Sequence, residues 1–248
     1  MDEAFSHATS AASDLTPPVI VLGMHRSGTS LLAGTLQSGG VYLGDVNTSA
    51  PHNKKGNREH EALRAVHDAM LAKAGYSWRS PPDGPLVWDA EDVRQVRSVL
   101  SAFRNKPSWG FKDPRAIWLI EGYRDLFPSA ELIAIIREPG AVAASLAARP
   151  GDLFMSPEQG FDLWRKTNMK LLSLWRQHRF PVLRFSDLGV LDPLFSGPLR
   201  RILRHDGAFD SGTTFFDSDL VHQSGSALPV PPACHELWED LLDACRTS

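Results

Sequence analysis

Between Val19 and Leu36 the chain runs from a short apolar segment, through a glycine-bounded loop, into a helix start, and few folds accommodate that passage. Val19-Ile20-Val21-Leu22 is apolar throughout and β-branched at three of its four positions. That is the composition of a strand buried on both faces in a parallel sheet. Gly23 ends it. Ser30 to Leu36 reads as a helix, which Gly39-Gly40 stops. Between them, Gly23-Met24-His25-Arg26-Ser27-Gly28-Thr29-Ser30 has the glycine spacing of a phosphate loop. In such loops backbone N–H groups at a helix start surround an anion. The flanking strand and helix give the spacing its meaning. Thr29 stands where a Walker loop has its lysine. A nucleoside triphosphatase needs that lysine at the β- and γ-phosphates, usually with magnesium. Here the nearest cation is Arg26, so the loop suits a phosphate group but not hydrolysis of a triphosphate.

The pattern recurs downstream. Leu132 to Ile136 is a second buried strand, Pro139 sits where the first helical turn begins, and Ala141 to Ala148 continues the helix. Arg137 ends that strand, at the edge facing the ligand crevice of a doubly wound sheet. Its fork suits a phosphate dianion, and Ser145 on the next helix supplies a second donor. Glu138 is the competing local partner for Arg137. Trp109 to Phe111 and Val182 to Phe185 read as further strands. Arg58–Ala72, Asp89–Phe103, Arg115–Leu126, Phe161–His178 and Leu237–Ala244 read as helices. Strands alternating with helices predict a single α/β domain with a central, mainly parallel sheet. Residues 1–16 are polar and without period, the signature of a mobile tail, which leaves 17–248 as the domain. The irregular stretches Val41–Asn57 and Gly75–Pro85 read as functional loops.

Charge and cysteine usage exclude several classes. A net charge of −3 gives no footprint for nucleic acid or an anionic membrane. No apolar run approaches the ~20 residues of a membrane span, and the polar start has no signal-peptide pattern. Cys234 and Cys245 neither frame a disulfide scaffold nor show zinc spacing. His60-Glu61 is no zinc motif, because Arg64 occupies the second histidine's place. The expectation is a cytoplasmic protein that uses no metal.

The loop His25-Arg26-Ser27-Gly28-Thr29-Ser30-Leu31-Leu32 resembles the 5′-phosphosulfate loop of sulfotransferases that use 3′-phosphoadenosine 5′-phosphosulfate (PAPS). Arg137-Glu138-Pro139 continuing to Ser145 is similar to their 3′-phosphate motif. Trp109-Gly110-Phe111-Lys112-Asp113-Pro114-Arg115, Asn53-Lys54-Lys55-Gly56 with Glu59, and Arg184-Phe185-Ser186-Asp187-Leu188 are similar to segments of the bacterial branch. The likeness spans roughly residues 18–245 and is closer to the bacterial and Golgi-type branches than to the cytosolic one. It implies a P-loop-type three-layer sandwich. It also implies in-line transfer of a sulfuryl group from PAPS to a hydroxyl or amine of a small-molecule, carbohydrate or metabolite acceptor, leaving adenosine 3′,5′-bisphosphate.

On this reading His25, Arg26, Ser27, Gly28, Thr29, Ser30, Arg137 and Ser145 bind the donor. Arg26 and the N–H groups of Ser27 to Ser30 stabilise the leaving phosphate, and Lys112 neutralises the sulfuryl oxygens. The alternative for Lys112 is a local pair with Asp113. Glu59, expected in the first turn of a helix, is the first candidate base, with helix-dipole complementation as its bland alternative. His60 is the second candidate, because its ordinary pKa suits a base near neutrality. Trp164 and Trp175 belong to the core, Trp78 and Trp88 to an acceptor pocket, and Asp187 to a turn cap. A P-loop small-molecule kinase and a non-catalytic nucleotide-binding protein are the alternatives.

Overall fold

The computed structural model describes residues 15–49, 56–189, 202 and 228–247. Four parallel strands form the sheet: β1 (Val19–Leu22), β2 (Gly110–Lys112), β3 (Glu131–Ile136) and β4 (Val182–Arg184), in the order β2-β1-β3-β4. β1 lies between β2 and β3, with Ile20 beside both Phe111 and Leu132. Alternate residues divide the core in two. Ile20, Leu22, Phe111, Leu132, Ala134 and Ile136 face one side, and Val19, Val21, Ile133, Ile135 and Leu183 face the other. The period of two along a strand requires this division, and it needs a cover on each face.

Helix α1 (Thr29–Ser38) covers the second face with Leu32, Ala33 and Leu36. The first face is covered by α2 (Glu61–Lys73), α3 (Ala90–Leu100), α4 (Ile120–Leu126), α5 (Pro139–Ala147), α6 (Pro157–His178) and α7 (Pro232–Arg246). Local sequence sets several of the starts. Asp89 with Asp92, and Ser156 with Gln159, form capping boxes, and proline stands in the first turn of α5, α6 and α7. Among the described residues no helix is long and apolar enough to cross a membrane.

The fold is the expected three-layer α/β domain, with differences at the edges. The helix expected over Arg58–Ala72 begins only at Glu61. The helix expected over Arg115–Leu126 divides into a 3₁₀ segment, Pro114–Trp118, and α4, because Leu119 leaves helical geometry. Within the expected tail, Leu15 packs against the core and Thr16 accepts a hydrogen bond from the Trp109 indole at 2.8 Å. Residues 1–14 and Asn53-Lys54-Lys55 lie outside the described residues.

Helices α1 and α5 leave adjacent strands on opposite faces, which opens a crevice at the carboxyl ends of β1 and β3. Trp164 of α6 braces it. The ring is fully buried, and its Nε1–H donates to the Arg137 carbonyl at 2.9 Å. Trp164→Phe should lower stability by about 1 kcal/mol, read from urea unfolding, because that half-buried carbonyl loses its donor. Unchanged stability would contradict the bracing role.

Candidate active site

The phosphate loop turns tightly before α1. Gly23 has φ +140°, and a Cβ there would lie 2.5 Å from the Ile135 carbonyl oxygen. Gly28 has φ +93°, and a Cβ would lie 2.4 Å from the Phe185 ring. Both positions therefore require glycine. Gly28 is the N-cap of α1 and supplies no side-chain cap, and the first turn carries no acid. The N–H groups of Thr29, Ser30 and Leu31 thus have no acceptor within the helix. They present partial positive charge to the crevice. The Ser27 N–H is not among these donors, since it closes a turn on the Met24 carbonyl at 3.2 Å. Its buried Oγ has no partner.

Arg26, in left-handed backbone geometry at φ +68°, joins the two expected motifs. Its Nε–H donates to Ser145 Oγ at 2.8 Å, and its carbonyl accepts from Arg137 Nη1 at 3.0 Å. The Arg137 guanidinium lies 4.4 Å over the Phe185 ring. Phe185 thus wedges between Gly28 and Arg137, which gives the Arg184–Leu188 segment its place in the site. Burial, then the charges of Arg149 and Arg137, lower the Arg26 pKa to about 10. Burial also lowers that of Arg137, partly offset by Glu138.

On the other side of α1 stands a buried ion pair. Lys112 Nζ donates to Glu59 Oε1 at 2.7 Å and to the Asn57 carbonyl at 3.0 Å. The side chains are 3% and 11% exposed, so both charges are largely desolvated. Ser30 Oγ donates to the same Asn57 carbonyl at 3.0 Å, which ties the loop before Glu59 to the phosphate loop. Arg115 Nη1 lies 3.8 Å from Glu59 Oε2 and donates to Asp113 Oδ1 at 2.9 Å, while its Nε reaches Asp68 at 2.5 Å. Asp113 Oδ2 meets His67 Nδ1 at 2.8 Å, and His67 Nε2 meets the Tyr123 hydroxyl at 2.6 Å. Burial pushes the Asp113 carboxyl up, but the His67 hydrogen bond and charge and the Arg115 charge outweigh it and hold it well below its ordinary range. Against the loop, the His25 ring lies 4.6 Å from Trp78. Burial, then the Arg115 and Lys112 charges, hold the His25 imidazole well below its ordinary pKa, so it is neutral at pH 7.

The sulfotransferase family profile matches residues 17–208. The chain belongs to the sulfotransferase family. Among solved structures it is similar to the sulfotransferase domain from the curacin biosynthetic pathway, at 16% identity and TM-score 0.54, over 93% of this chain and 99% of that one. It is also similar to sulfotransferase STF9 from Mycobacterium avium, at 15% identity and TM-score 0.50, over 97% and 81%. At such identities these likenesses establish the shared fold. No curated protein matches the sequence.

Within this family fold, the expected donor-side residues His25 to Ser30, Arg137 and Ser145 gather at one crevice, with Lys112 and Glu59 beside them. Four expectations are corrected. Glu59 does not sit in a helical turn. Arg58 at φ +55° turns the chain, His60 is the N-cap of α2, and Glu61 takes the first turn. Lys112 and Asp113 do not pair locally, since Lys112 turns to Glu59 and Asp113 to Arg115 and His67. Trp88 lies in the core against Gly122 and Tyr123 rather than in the site. His60 Nδ1 accepts the Leu63 N–H at 3.4 Å, so that nitrogen serves the cap. Asp187 forms an ion pair with Arg184 at 2.7 Å instead of capping a turn. His67 carries no motif of its own and goes unseen in the sequence, and Arg115, at the end of the Trp109–Arg115 segment, has no role assigned there.

Lys112→Met should destabilise the fold by about 3–5 kcal/mol, because it strands the Glu59 charge in a desolvated site. Lys112→Met/Glu59→Leu should recover most of that loss in urea unfolding. A double variant no better than the single one would contradict the pairing.

Proposed function

We propose that this chain moves the sulfuryl group of PAPS to a hydroxyl or amine of a small-molecule, carbohydrate or metabolite acceptor. The observation that carries the reading is an uncapped helix N-terminus flanked by Arg26, held by the Ser145 hydroxyl, and Arg137, which donates to the Arg26 carbonyl. The buried, unpartnered Ser27 hydroxyl adds a donor. Among the described residues no carboxylate pairs with Arg26, so its charge is left for a ligand. A ligand with two separated anionic groups fits that lack. The α1 N-terminus with Arg26 would hold the 5′-phosphosulfate, and Arg137 with Ser145 the 3′-phosphate. The donor supplies a sulfuryl group already bonded to a good leaving group.

Sulfuryl transfer needs positioning and charge stabilisation more than covalent help from the protein. Arg26 and the α1 N–H groups take up charge on the leaving phosphate oxygen. Lys112 has three N–H donors. Two are spent on Glu59 and Asn57, and the third is left for a sulfuryl oxygen. Glu59 takes the acceptor's proton and becomes a neutral carboxylic acid, which leaves the Lys112 charge free to act on the sulfuryl oxygens. Its position supports it as the base ahead of His60, whose Nδ1 caps α2.

Calorimetry tests the reading. Adenosine 3′,5′-bisphosphate should bind more tightly than ATP with magnesium, and Arg137→Ala should weaken it about tenfold or more by removing a charge-assisted fork. Glu59→Gln should slow transfer of labelled sulfuryl from PAPS to an acceptor mixture by roughly 10²–10⁴-fold. Preference for magnesium-ATP would contradict the proposal and favour a kinase. Unaltered bisphosphate binding in Arg137→Ala would remove its 3′-phosphate role.

A further inference from the structure

We propose that Arg149, with Arg79 and Trp78, forms an anion-binding wall on the acceptor side of the site, so that the acceptor carries a carboxylate or phosphate group besides its reacting hydroxyl or amine. This rests on the sulfuryl-transfer reading above and adds the substrate class.

The first argument is position. Arg149 follows Ser145 by one helical turn, and its N–H still bonds the Leu146 carbonyl at 3.2 Å. It therefore extends the side of α5 whose Ser145 holds Arg26. The charges agree with that position. Arg26 feels Arg149 first among its charged neighbours, then Arg137. The charges that act on Arg149 are Glu59, the proposed base, and then Arg79.

The second argument is construction. Arg79 Nη1 and Nη2 donate to the Asp152 and Phe154 carbonyls at 2.7 and 2.6 Å. These bonds fasten the Ser77–Ser80 turn to the loop that follows Arg149. Trp78 lies between, with its ring 4.6 Å from His25 and 5.4 Å from the Arg79 guanidinium. Two sequence-distant loops are so joined into one wall beside the phosphate loop.

The third argument is the missing partner. Arg149 Nε is buried without a hydrogen bond, and among the described residues no carboxylate pairs with its guanidinium. A cation in such a place is costly unless a ligand supplies the counter-charge. The donor's anionic groups are already met by the α1 N-terminus, Arg26, Lys112 and Arg137. Arg149 is surplus to them, and the charge of Glu59, the proposed base, acts on it. A planar guanidinium there suits an acid group on the acceptor.

The test uses the full chain saturated with adenosine 3′,5′-bisphosphate. Matched probes are titrated by calorimetry: 4-hydroxyphenylacetate against its amide, glucuronate against glucuronamide, and glycerol 3-phosphate against glycerol. At least one acid should bind about tenfold or more tightly than its neutral match, the scale of a charge-assisted hydrogen bond. Arg149→Met should abolish that preference and Arg149→Lys should keep part of it, with bisphosphate affinity altered less than about threefold in both. Equal binding of acids and neutral probes, or a preference that survives Arg149→Met, would overturn the subsite. A tenfold loss of bisphosphate affinity in Arg149→Met would also overturn it, by making Arg149 a donor residue. Failure of the wild-type chain to bind bisphosphate would instead sink the sulfuryl-transfer reading and the subsite with it.

Discussion

Arg26 and Arg137 are like charges held side by side, and the rest of the site is arranged around that unfavourable contact. No carboxylate pairs with Arg26 among the described residues. It is held instead by neutral groups: Ser145 takes its Nε–H, and its own carbonyl takes a donor of Arg137. Phe185 lies under the Arg137 guanidinium, and Trp164 fixes the backbone from which that side chain leaves. The Ser145 hydroxyl keeps the Arg26 guanidinium in place without cancelling its charge. Burial and mutual repulsion then make the crevice a place where an anion is strongly favoured. On the proposed reading such a site is preorganised for charge stabilisation, with dipoles and cations that need not reorganise when charge develops.

The sheet makes this contact possible. β1 and β3 are neighbours, and the helices that follow them depart to opposite faces. The two strand ends therefore deliver one arginine each to the same crevice. Gly23 and Gly28 let the first loop close on Ile135 and Phe185, where a side chain would collide. On the far side of α1, the shared Asn57 carbonyl links Ser30 to Lys112, so the helix start and the Lys112–Glu59 pair move as one unit. His67, Asp113 and Arg115 extend that unit into the core, where buried hydrogen bonds resist rearrangement.

Much of this was legible in the sequence, for a physical reason. The strands are short apolar runs, the loop glycines are demanded by local backbone geometry, and Arg137 and Ser145 sit at fixed offsets on a strand end and the next helix. Each of those signals is local. What the sequence hid depends on contacts between distant segments. The start of α2 is capped by His60, outside the preferred cap residues, after a left-handed Arg58, so periodicity alone drew Glu59 into the helix. Trp88 enters the core because Gly122 leaves room for its ring, 34 residues further along the chain. Arg115 also acts through Asp68 and Glu59, which its own neighbourhood does not announce.

The most direct measurement is a crystal structure of the chain soaked with adenosine 3′,5′-bisphosphate. The 5′-phosphate should lie on the N–H groups of Thr29 to Leu31 beside Arg26, and the 3′-phosphate on Arg137 and Ser145, with Lys112 still bonded to Glu59. A bisphosphate bound away from the α1 N-terminus, or with its 3′-phosphate off Arg137, would contradict the assignment of the crevice as the donor site.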